Sequence, residues 1–375
     1  MKPLLSVLIV SFQSSALALA AIDSILADGK RDFPLEIIVV DNNSDLAQRK
    51  ILQEASPPPQ VRRFFLESNL GYGPGNNFAY EQSQGDYLLV INPDTLVFPG
   101  ALKTMLDHLA SRPRCAAVGP KTYWDEDRAF LLPPSEIPTF RHLLLIHLAH
   151  CFHPLGRLLD RQWLRSSLRH WRKRRPTAVN MLSGGCFMTS RAVVENIGLF
   201  DPTFPLYFED TDWCRRARTA GYELVFLPDA EIVHYYNQSG QKRTDAHRLF
   251  EESLALYCLK HEGPRKLRIL NRIRALTHRL SLARKGNKYP YPFENLGVLR
   301  QSSPVCFCSE AGEGDFLLQI SPDSFFIPAL GGFFRGPPPA FQPSVWKRLG
   351  RGRYFARWMS MKDGTVKKLW TWVKG

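Results

Sequence analysis

From the first residues onward, short apolar runs alternate with stretches whose apolar positions recur every three or four residues. Residues 4–11 form a continuous apolar run of strand length, and 14–27 read as a helix opening on a serine cap. Residues 35–40, rich in Ile and Val, give a second strand ending at Asp41, followed by a helix over 44–55. A third strand is expected at 61–66, a helix at 73–84, and a fourth strand at 86–91 that runs into Asn92-Pro93-Asp94. Continuous apolar strands separated by helices predict an α/β, Rossmann-like fold: a mostly parallel sheet with helices on both faces. Ligands of such sheets bind beyond the carboxyl ends of the strands. The polar residues of this chain gather at those ends.

Residues 125–178 break the rhythm. Between His142 and Arg175, Leu, Trp and His are mixed with arginines at 157, 161, 165 and 169, whose fourfold spacing lines one side of a helix. Alternation resumes over 178–190, with a short helix at 193–197 and a strand ending at His234. A second basic amphipathic stretch, 265–288, carries the apolar stripe Leu267, Leu270, Ile273, Leu276 and Leu280. From 291 onward Pro, Gly and aromatics rise, and 354–361 with 366–373 read as a hairpin around Asp363-Gly364. The expected organisation is an α/β domain over 1–240 with 125–178 as a variable basic insertion. A basic helical segment over 241–290 and a small β-rich module over 291–375 follow.

Composition narrows the class. At 375 residues, 44% hydrophobic and 22% charged, the chain is globular, which excludes collagenous and disordered classes. The net charge of +14 suits a polyanionic partner: nucleic acid, an anionic membrane surface or phosphate-bearing substrates. Lys2 before the apolar run and Ala18-Leu19-Ala20 imitate a secretory signal, but Ser6, Ser11, Gln13, Ser14 and Ser15 interrupt it, so none is expected. No run reaches the roughly 18 to 20 apolar residues that span a bilayer. Seven cysteines, odd in number and scattered, form no disulfide framework, and Cys306 and Cys308 are too close for ordinary metal-ligand spacing. A reducing cytosol is the expected compartment.

Four places carry candidate chemistry. Asp94 stands just beyond a buried strand. A hard cation bound to a diphosphate takes only one or two protein carboxylates, so Asp94 suits a cation site, although Asn-Pro-Asp is equally an ordinary turn. Asp41 can accept hydrogen bonds from a nucleotide's base or ribose, or Asp41 to Asp45 can simply turn the chain and cap the next helix. In 69–77, glycines at 71, 73 and 75 ahead of a helix let backbone approach a phosphate at the helix N-terminus. That run is neither a P-loop nor a dinucleotide fingerprint, and a plain turn is the alternative. Glu209, Asp210 and Asp212 open a helix, where the dipole favours negative charge, so they are either caps or a general base at a cleft. Glu209 and Asp212 lie one turn apart while Asp210 points elsewhere, so one face can be structural and the other catalytic. His234 is either a core histidine or a metal ligand.

The segments 7–12, 39–44, 69–77, 92–94, 183–186 and 208–215, with His234, closely resemble glycosyltransferase family 2 in order and spacing. Within it they look most like the rhamnosyltransferase-like branch that builds bacterial surface polysaccharides. The resemblance covers roughly 4–240 and leaves 291–375 outside it. It implies a GT-A fold and a residue-by-residue site. Asp41 contacts the nucleobase; Asp94, in the place of the family's Asp-x-Asp motif, binds the metal, with Asn92 departing from the strict pattern. Asp210, with Glu209 beside it, is the catalytic base, and His234 is a further metal ligand. Ser11, Asp41, Asn69, Gly71, Asn77, Asn92, Gly184, Gly185, Asp212 and Trp213 are the expected substrate-binding residues.

The expected reaction is an inverting transfer assisted by Mg2+ or Mn2+, from a nucleotide-diphosphate sugar to a hydroxyl of a glycan or polyprenyl-diphosphate-linked acceptor. The resemblance favours dTDP-rhamnose, with UDP-linked hexoses as alternatives. The basic helices suit an anionic membrane surface, making the expected location cytoplasmic and peripheral on the inner face of the cell membrane; a solvated face packed by its leucines is the alternative. Nucleic acid is not expected as a partner, because the basic residues lie outside the α/β core and no zinc finger or aromatic RNA signature is present. A glycoside hydrolase would need no cation or diphosphate apparatus. An inactive relative that only binds glycans or membrane is the other rival. Trp346, Tyr354, Trp358, Trp370 and Trp372 are expected to fill a small core, with sugar stacking as the alternative.

Overall fold

The computed structural model describes residues 4–29, 32–56, 58–236, 238, 245–283, 289–300, 307, 314–341 and 343–375. Cys306 and Cys308, and residues 284–288 of the second basic stretch, lie outside the described residues.

In chain order the first elements are β1 (Leu5–Ser11), α1 (Ser15–Leu26), β2 (Leu35–Asp41), α2 (Leu46–Glu54), β3 (Val61–Phe65), α3 (Tyr72–Glu81), β4 (Tyr87–Ile91), β5 (Thr95–Val97), α4 (Ala101–Ala110) and β6 (Cys115–Tyr123). Then come α5 (Phe140–Cys151), α6 (His153–Trp171), β7 (Thr177–Val179), β8 (Cys186–Ser190), α7 (Arg191–Ile197), α8 (Glu209–Thr219), β9 (Glu223–His234) and α9 (Ala246–Glu262). The last are α10 (Pro264–Ala283), β10 (Glu294–Leu299), β11 (Asp315–Ser321), β12 (Leu330–Arg335), α11 (Pro343–Arg348), β13 (Gly352–Ser360) and β14 (Val366–Lys374).

The chain divides into two compact units. The first, 1–122 with 135–137 and 173–261, is the α/β fold. Its sheet, nine-stranded among the described residues, runs β3-β2-β1-β4-β8-β6-β9-β5, with β7 added on β9. The pairs β3–β2, β2–β1 and β1–β4 are parallel, and β8, which follows β4, runs antiparallel to it. Alternate residues of the same strands feed two cores, as the pleat dictates. Val7, Ile9, Ile37, Val39, Leu89 and Ile91 pack with apolar residues of α1 and α4, while Leu8, Val10, Ile38, Val40, Leu88 and Val90 pack with those of α3, α7 and α8. Burial on both faces is why these strands read as unbroken apolar runs.

Local chemistry moves two helix starts. The α2 cap is Asp45, whose Oδ1 accepts the Gln48 N–H at 2.9 Å, so the helix opens at Leu46 and not at Ser44. Ser14 stands at the α1 N-cap position but makes no capping bond; its hydroxyl meets that of Ser11 at 3.1 Å. Residues 95–123, for which the pattern supplied no element, provide β5, α4 and β6.

The second unit comprises 123–134, 138–172 and 262–375. Its five-stranded sheet runs β10-β14-β13-β11-β12, antiparallel except for β10 on β14. The expected hairpin is β13–β14, with Gly364 at φ +72° in its turn. Trp346, Trp358, Trp370 and Trp372 are each at most 1% exposed, so they fill the core, and stacking on sugars is excluded for them. Tyr354 stacks on Trp372 at 5.7 Å.

These units cross the boundaries expected from composition. The basic insertion belongs with the C-terminal sheet, because Asp160 of α6 is buried against Arg357 of β13 at 2.6 and 2.9 Å. Trp171 of the same helix donates to the Leu132 carbonyl at 2.8 Å and covers Gly331. Conversely α9 belongs with the α/β unit. Among the described residues, no helix is long and apolar enough to cross a membrane.

Candidate functional site

Asp94 lies between β4 and β5, and β5 pairs antiparallel with β9 so that Thr95 faces His234. That register brings the Asp94 Oδ1 to 3.2 Å from His234 Nε2, both groups being buried. Asn92 Nδ2 is 3.3 Å from the same ring nitrogen. The other Asp94 oxygen accepts the Gln238 N–H at 3.1 Å. Burial pushes the Asp94 carboxyl up, but the imidazole beside it and the backbone N–H outweigh that, and the net direction is down.

The turn before β8 ties this cluster to the start of α8. Gly185 accepts the Asn92 N–H at 2.9 Å, and the Gly184 N–H donates to Asp210 Oδ2 at 2.8 Å. Both glycines are required by contact: a Cβ on Gly184 would sit 2.9 Å from Asp210 Cβ, and one on Gly185 would sit 2.6 Å from the His234 ring. Asp94, His234, Asn92 and Asp210 therefore flank one dipeptide. Tyr72, first residue of α3, donates to the Gly184 carbonyl at 2.9 Å. Burial holds its phenol well above the usual value, and the charges of Glu209, Asp210 and Asp94 push the same way, which places three carboxylates around it.

Tyr207 and Phe208, both at positive φ (+70° and +68°), launch α8. Two consecutive aromatic residues in the left-handed region are costly and aim the first turn of the helix. Glu209 is buried, with Oε2 unpartnered, and burial together with the Asp210 charge pushes its carboxyl up to about 8. Asp210 is also raised: burial dominates, opposed by the N–H groups of Gly184 and Thr211. Such a carboxylate has the basicity general-base work requires.

Asp212 and Trp213, expected at the substrate, occupy the interior. Asp212, fully buried, binds Arg216, Lys260 and His261, each at 2.7 Å, and Trp213 stacks on Phe187 while donating to the Gly198 carbonyl at 3.0 Å. Neither has surface left to offer a ligand. Asn77 is likewise spent on both backbone groups of Phe200, at 2.8 and 3.0 Å.

At the neighbouring strand end, Asp41 is 1% exposed, with Oδ2 accepting the Ser44 N–H at 3.1 Å and Oδ1 unpartnered. Ser11 pairs with Asp41 in the β1–β2 register. Asn42, which sequence reasoning gave no role, clamps the 69–71 loop: its amide donates to Asn69 Oδ1 and the Gly71 carbonyl at 3.1 and 2.9 Å and accepts from the Leu70 N–H at 2.9 Å. Gly71 has φ +94° and a Cβ there would lie 2.5 Å from the Pro205 carbonyl, so only glycine fits. Tyr72 and Tyr236 were also missed. Tyr72 lay within a recognised run; Tyr236, 60% exposed at φ +51° with its ring 5.9 Å from that of His234, had no sequence signal at all.

The donor set suits a divalent cation. Asp94 Oδ1 is buried without an aligned hydrogen bond. Two ligand atoms about 2.1 Å from an octahedral ion, at right angles, are about 3 Å apart, which the Asp94–His234 separation matches. Among the described residues no group of three or more His, Cys, Asp or Glu side chains is arranged around a metal position. A cation held here would take two protein ligands among the described residues, and its other positions would fall to ligand oxygens or water.

Residues 6–198, more than half of the chain, match the family model described as Glycosyl transferase family 2. An N-acetylglucosaminyl-diphospho-decaprenol L-rhamnosyltransferase of Mycobacterium tuberculosis is 29% identical over 229 residues, spanning 57% of this chain and 71% of the relative. The O-antigen biosynthesis protein RfbC of Myxococcus xanthus is 26% identical over 235 residues, 60% of this chain and 16% of that protein. Among solved structures, the mannosyltransferase PcManGT from Pyrobaculum calidifontis in complex with GDP-Man and Mn2+ aligns with a TM-score of 0.43 at 16% identity, covering 76% of this chain and 77% of that one.

Proposed function

Because this chain belongs to glycosyl transferase family 2, we propose that it moves a sugar, rhamnosyl by preference, from a nucleotide-diphosphate donor to a hydroxyl of a glycan or lipid-linked oligosaccharide, with inversion at the anomeric carbon. The rhamnosyltransferase activity of the Mycobacterium tuberculosis relative, which acts on an N-acetylglucosaminyl-diphospho-decaprenol, supports the rhamnosyl preference and the lipid-linked acceptor. The observation that carries the reading is the Gly184-Gly185 turn, which touches Asp210 on one side and His234 and Asn92 on the other.

Asp210 is the base. It takes the acceptor hydroxyl's proton as that oxygen bonds to the anomeric carbon and the bond to the nucleoside diphosphate breaks. The Gly184 and Thr211 N–H groups hold the carboxylate in place, at 2.8 and 2.6 Å. Asp94 and His234 would hold Mg2+ or Mn2+, which when bound neutralises charge on the departing diphosphate. Asp41 takes the nucleobase, with Ser11, Asn69 and Gly71 lining the same strand ends.

The test is metal-dependent release of nucleoside diphosphate across a panel of dTDP-, UDP- and GDP-linked sugars. Asp210→Asn is expected to lower kcat about 10²–10⁴-fold with donor affinity retained. Asp94→Ala is expected to lose metal and donor affinity together. Unchanged turnover in Asp210→Asn would remove the base assignment, and a donor panel without any release would remove the reaction.

A further inference from the structure

α10 is anchored on one side only. Leu270 and Thr277 are buried, and the Thr277 carbonyl accepts the Cys151 thiol of α5 at 3.2 Å. A quarter turn away, Ile269, Leu276 and Leu280 stand 46%, 56% and 48% exposed. Positions 269, 276 and 280 fall within about 40° of one another on a helix, so they form a single stripe left without cover among the described residues.

The neighbouring row on that helix is Arg265, Arg272 and Arg279, all exposed. Within Pro264–Ala283 there are six Lys or Arg residues and no Asp or Glu, so nothing on the helix neutralises them. α6 repeats the chemistry on its own outer side, where exposed Leu158 shares a face with exposed Arg161 and Arg165, and its single carboxylate, Asp160, is buried on Arg357. A half-exposed apolar stripe bordered by arginines and free of acid is poorly suited to water. It fits an interface that takes hydrocarbon beneath a layer of negative charge.

We propose that the α10 stripe Ile269–Leu276–Leu280, with Arg265, Arg272 and Arg279, is a docking surface for an anionic phospholipid bilayer. The arginines bind the headgroup phosphates and the three aliphatic side chains enter the acyl boundary. Charge complementarity selects this occupant over a neutral one, and the apolar row selects it over nucleic acid, which offers phosphate without a hydrocarbon layer. This goes beyond the catalytic reading and does not depend on it.

The experiment is co-sedimentation of the full chain with phosphatidylcholine vesicles, with or without phosphatidylglycerol, across a salt series. Binding is expected only to the anionic vesicles and is expected to weaken as salt rises. Arg265→Gln/Arg272→Gln/Arg279→Gln is expected to weaken it about 100-fold, near the sum for three charges at a membrane surface. Leu276→Ser/Leu280→Ser is expected to weaken it at unchanged charge. Both variants should keep the thermal transition and the donor-cleavage rate of the unaltered protein in detergent-free solution. Equal binding to neutral vesicles, no binding at all, or undiminished binding by the arginine variant would overturn the proposal. The salt series on unaltered protein decides the electrostatic part even where a variant fails to fold. Loss of sugar transfer with vesicle binding intact would count against the catalytic reading alone.

Discussion

Glu209 and Asp210 are sequence neighbours with different surroundings. Glu209 is buried against the first turn of α3, where its side chain approaches the Gly73 position, and has an unpartnered oxygen; Asp210 has backbone donors on both of its oxygens. The consequence is a measurable pH effect. Glu209 titrates near 8 in the fold against an ordinary 4.5, so between those values the folded protein holds a proton that the unfolded chain releases. Stability from this residue therefore falls as pH rises through that window. Glu209→Gln removes the effect. The unfolding free energy of Glu209→Gln relative to the unaltered protein, read from melting curves, is expected to climb from pH 5 to pH 8, reaching on the order of a few kcal/mol. A difference flat across that range would show that Glu209 is solvated. The spacing of Glu209, Asp210 and Asp212 allowed one helical face to be structural, but it did not tell that Asp212, expected at the substrate, is buried on Arg216, Lys260 and His261, nor which carboxylate Gly184 would hydrogen-bond.

At the scale of elements, the start of α8 is held by α9. Ser253 donates to the Leu206 carbonyl at 2.7 Å, Phe208 packs on Tyr257 and Phe250, and Asp212 receives Lys260 and His261. These contacts sustain the two left-handed residues ahead of Glu209, whose cost is about 1–3 kcal/mol each. Burial pushes the Asp212 carboxyl up, but Lys260, Arg216 and His261 outweigh it and hold it below the usual carboxylate range. Asp212→Ala leaves those three groups without their shared partner and is expected to cost about 3 kcal/mol in urea unfolding. It should also lower kcat, because the α8 start loosens. A stable variant with full turnover would mean that α9 does not position the site. The pattern of apolar residues predicted most elements of this unit's first half, because strands buried on both faces cannot be written any other way. It gave nothing for β5, α4 and β6, although α4 buries Leu102, Met105, Leu106 and Leu109 at helical spacing.

At the scale of the whole molecule, most of the 125–178 insertion falls in the second compact unit, which takes 123–134 and 138–172. Its arginines read as a basic face, while Asp160 of the same helix and Arg357 form a buried pair, with Gln319 accepting from the same guanidinium and Arg357 lying 4.4 Å over Phe326. Arg357→Met leaves the Asp160 carboxylate uncompensated and is expected to destabilise the second unit by about 3–5 kcal/mol, with Asp160→Leu restoring much of the loss. Tryptophan fluorescence in a urea titration reads this unit selectively, since of the eight tryptophans only Trp213 belongs to the other one. An unshifted transition in Arg357→Met would show that the pair does not hold insertion and sheet together.

By itself the sequence determined the strand–helix order of the α/β unit, the C-terminal hairpin and the acidic and glycine-rich stations at the strand ends. Each of these follows from short-range periodicity and local backbone chemistry. Only the tertiary structure decided which stations meet. The β5–β9 register set His234 beside Asp94, the Gly184-Gly185 turn joined them to Asp210, Asp212 and Trp213 were drawn into the interior, and Asn77 was taken up by the Phe200 backbone. The physical reason is that pairing register and burial are settled between residues 26 to 142 positions apart, and no local pattern carries that information.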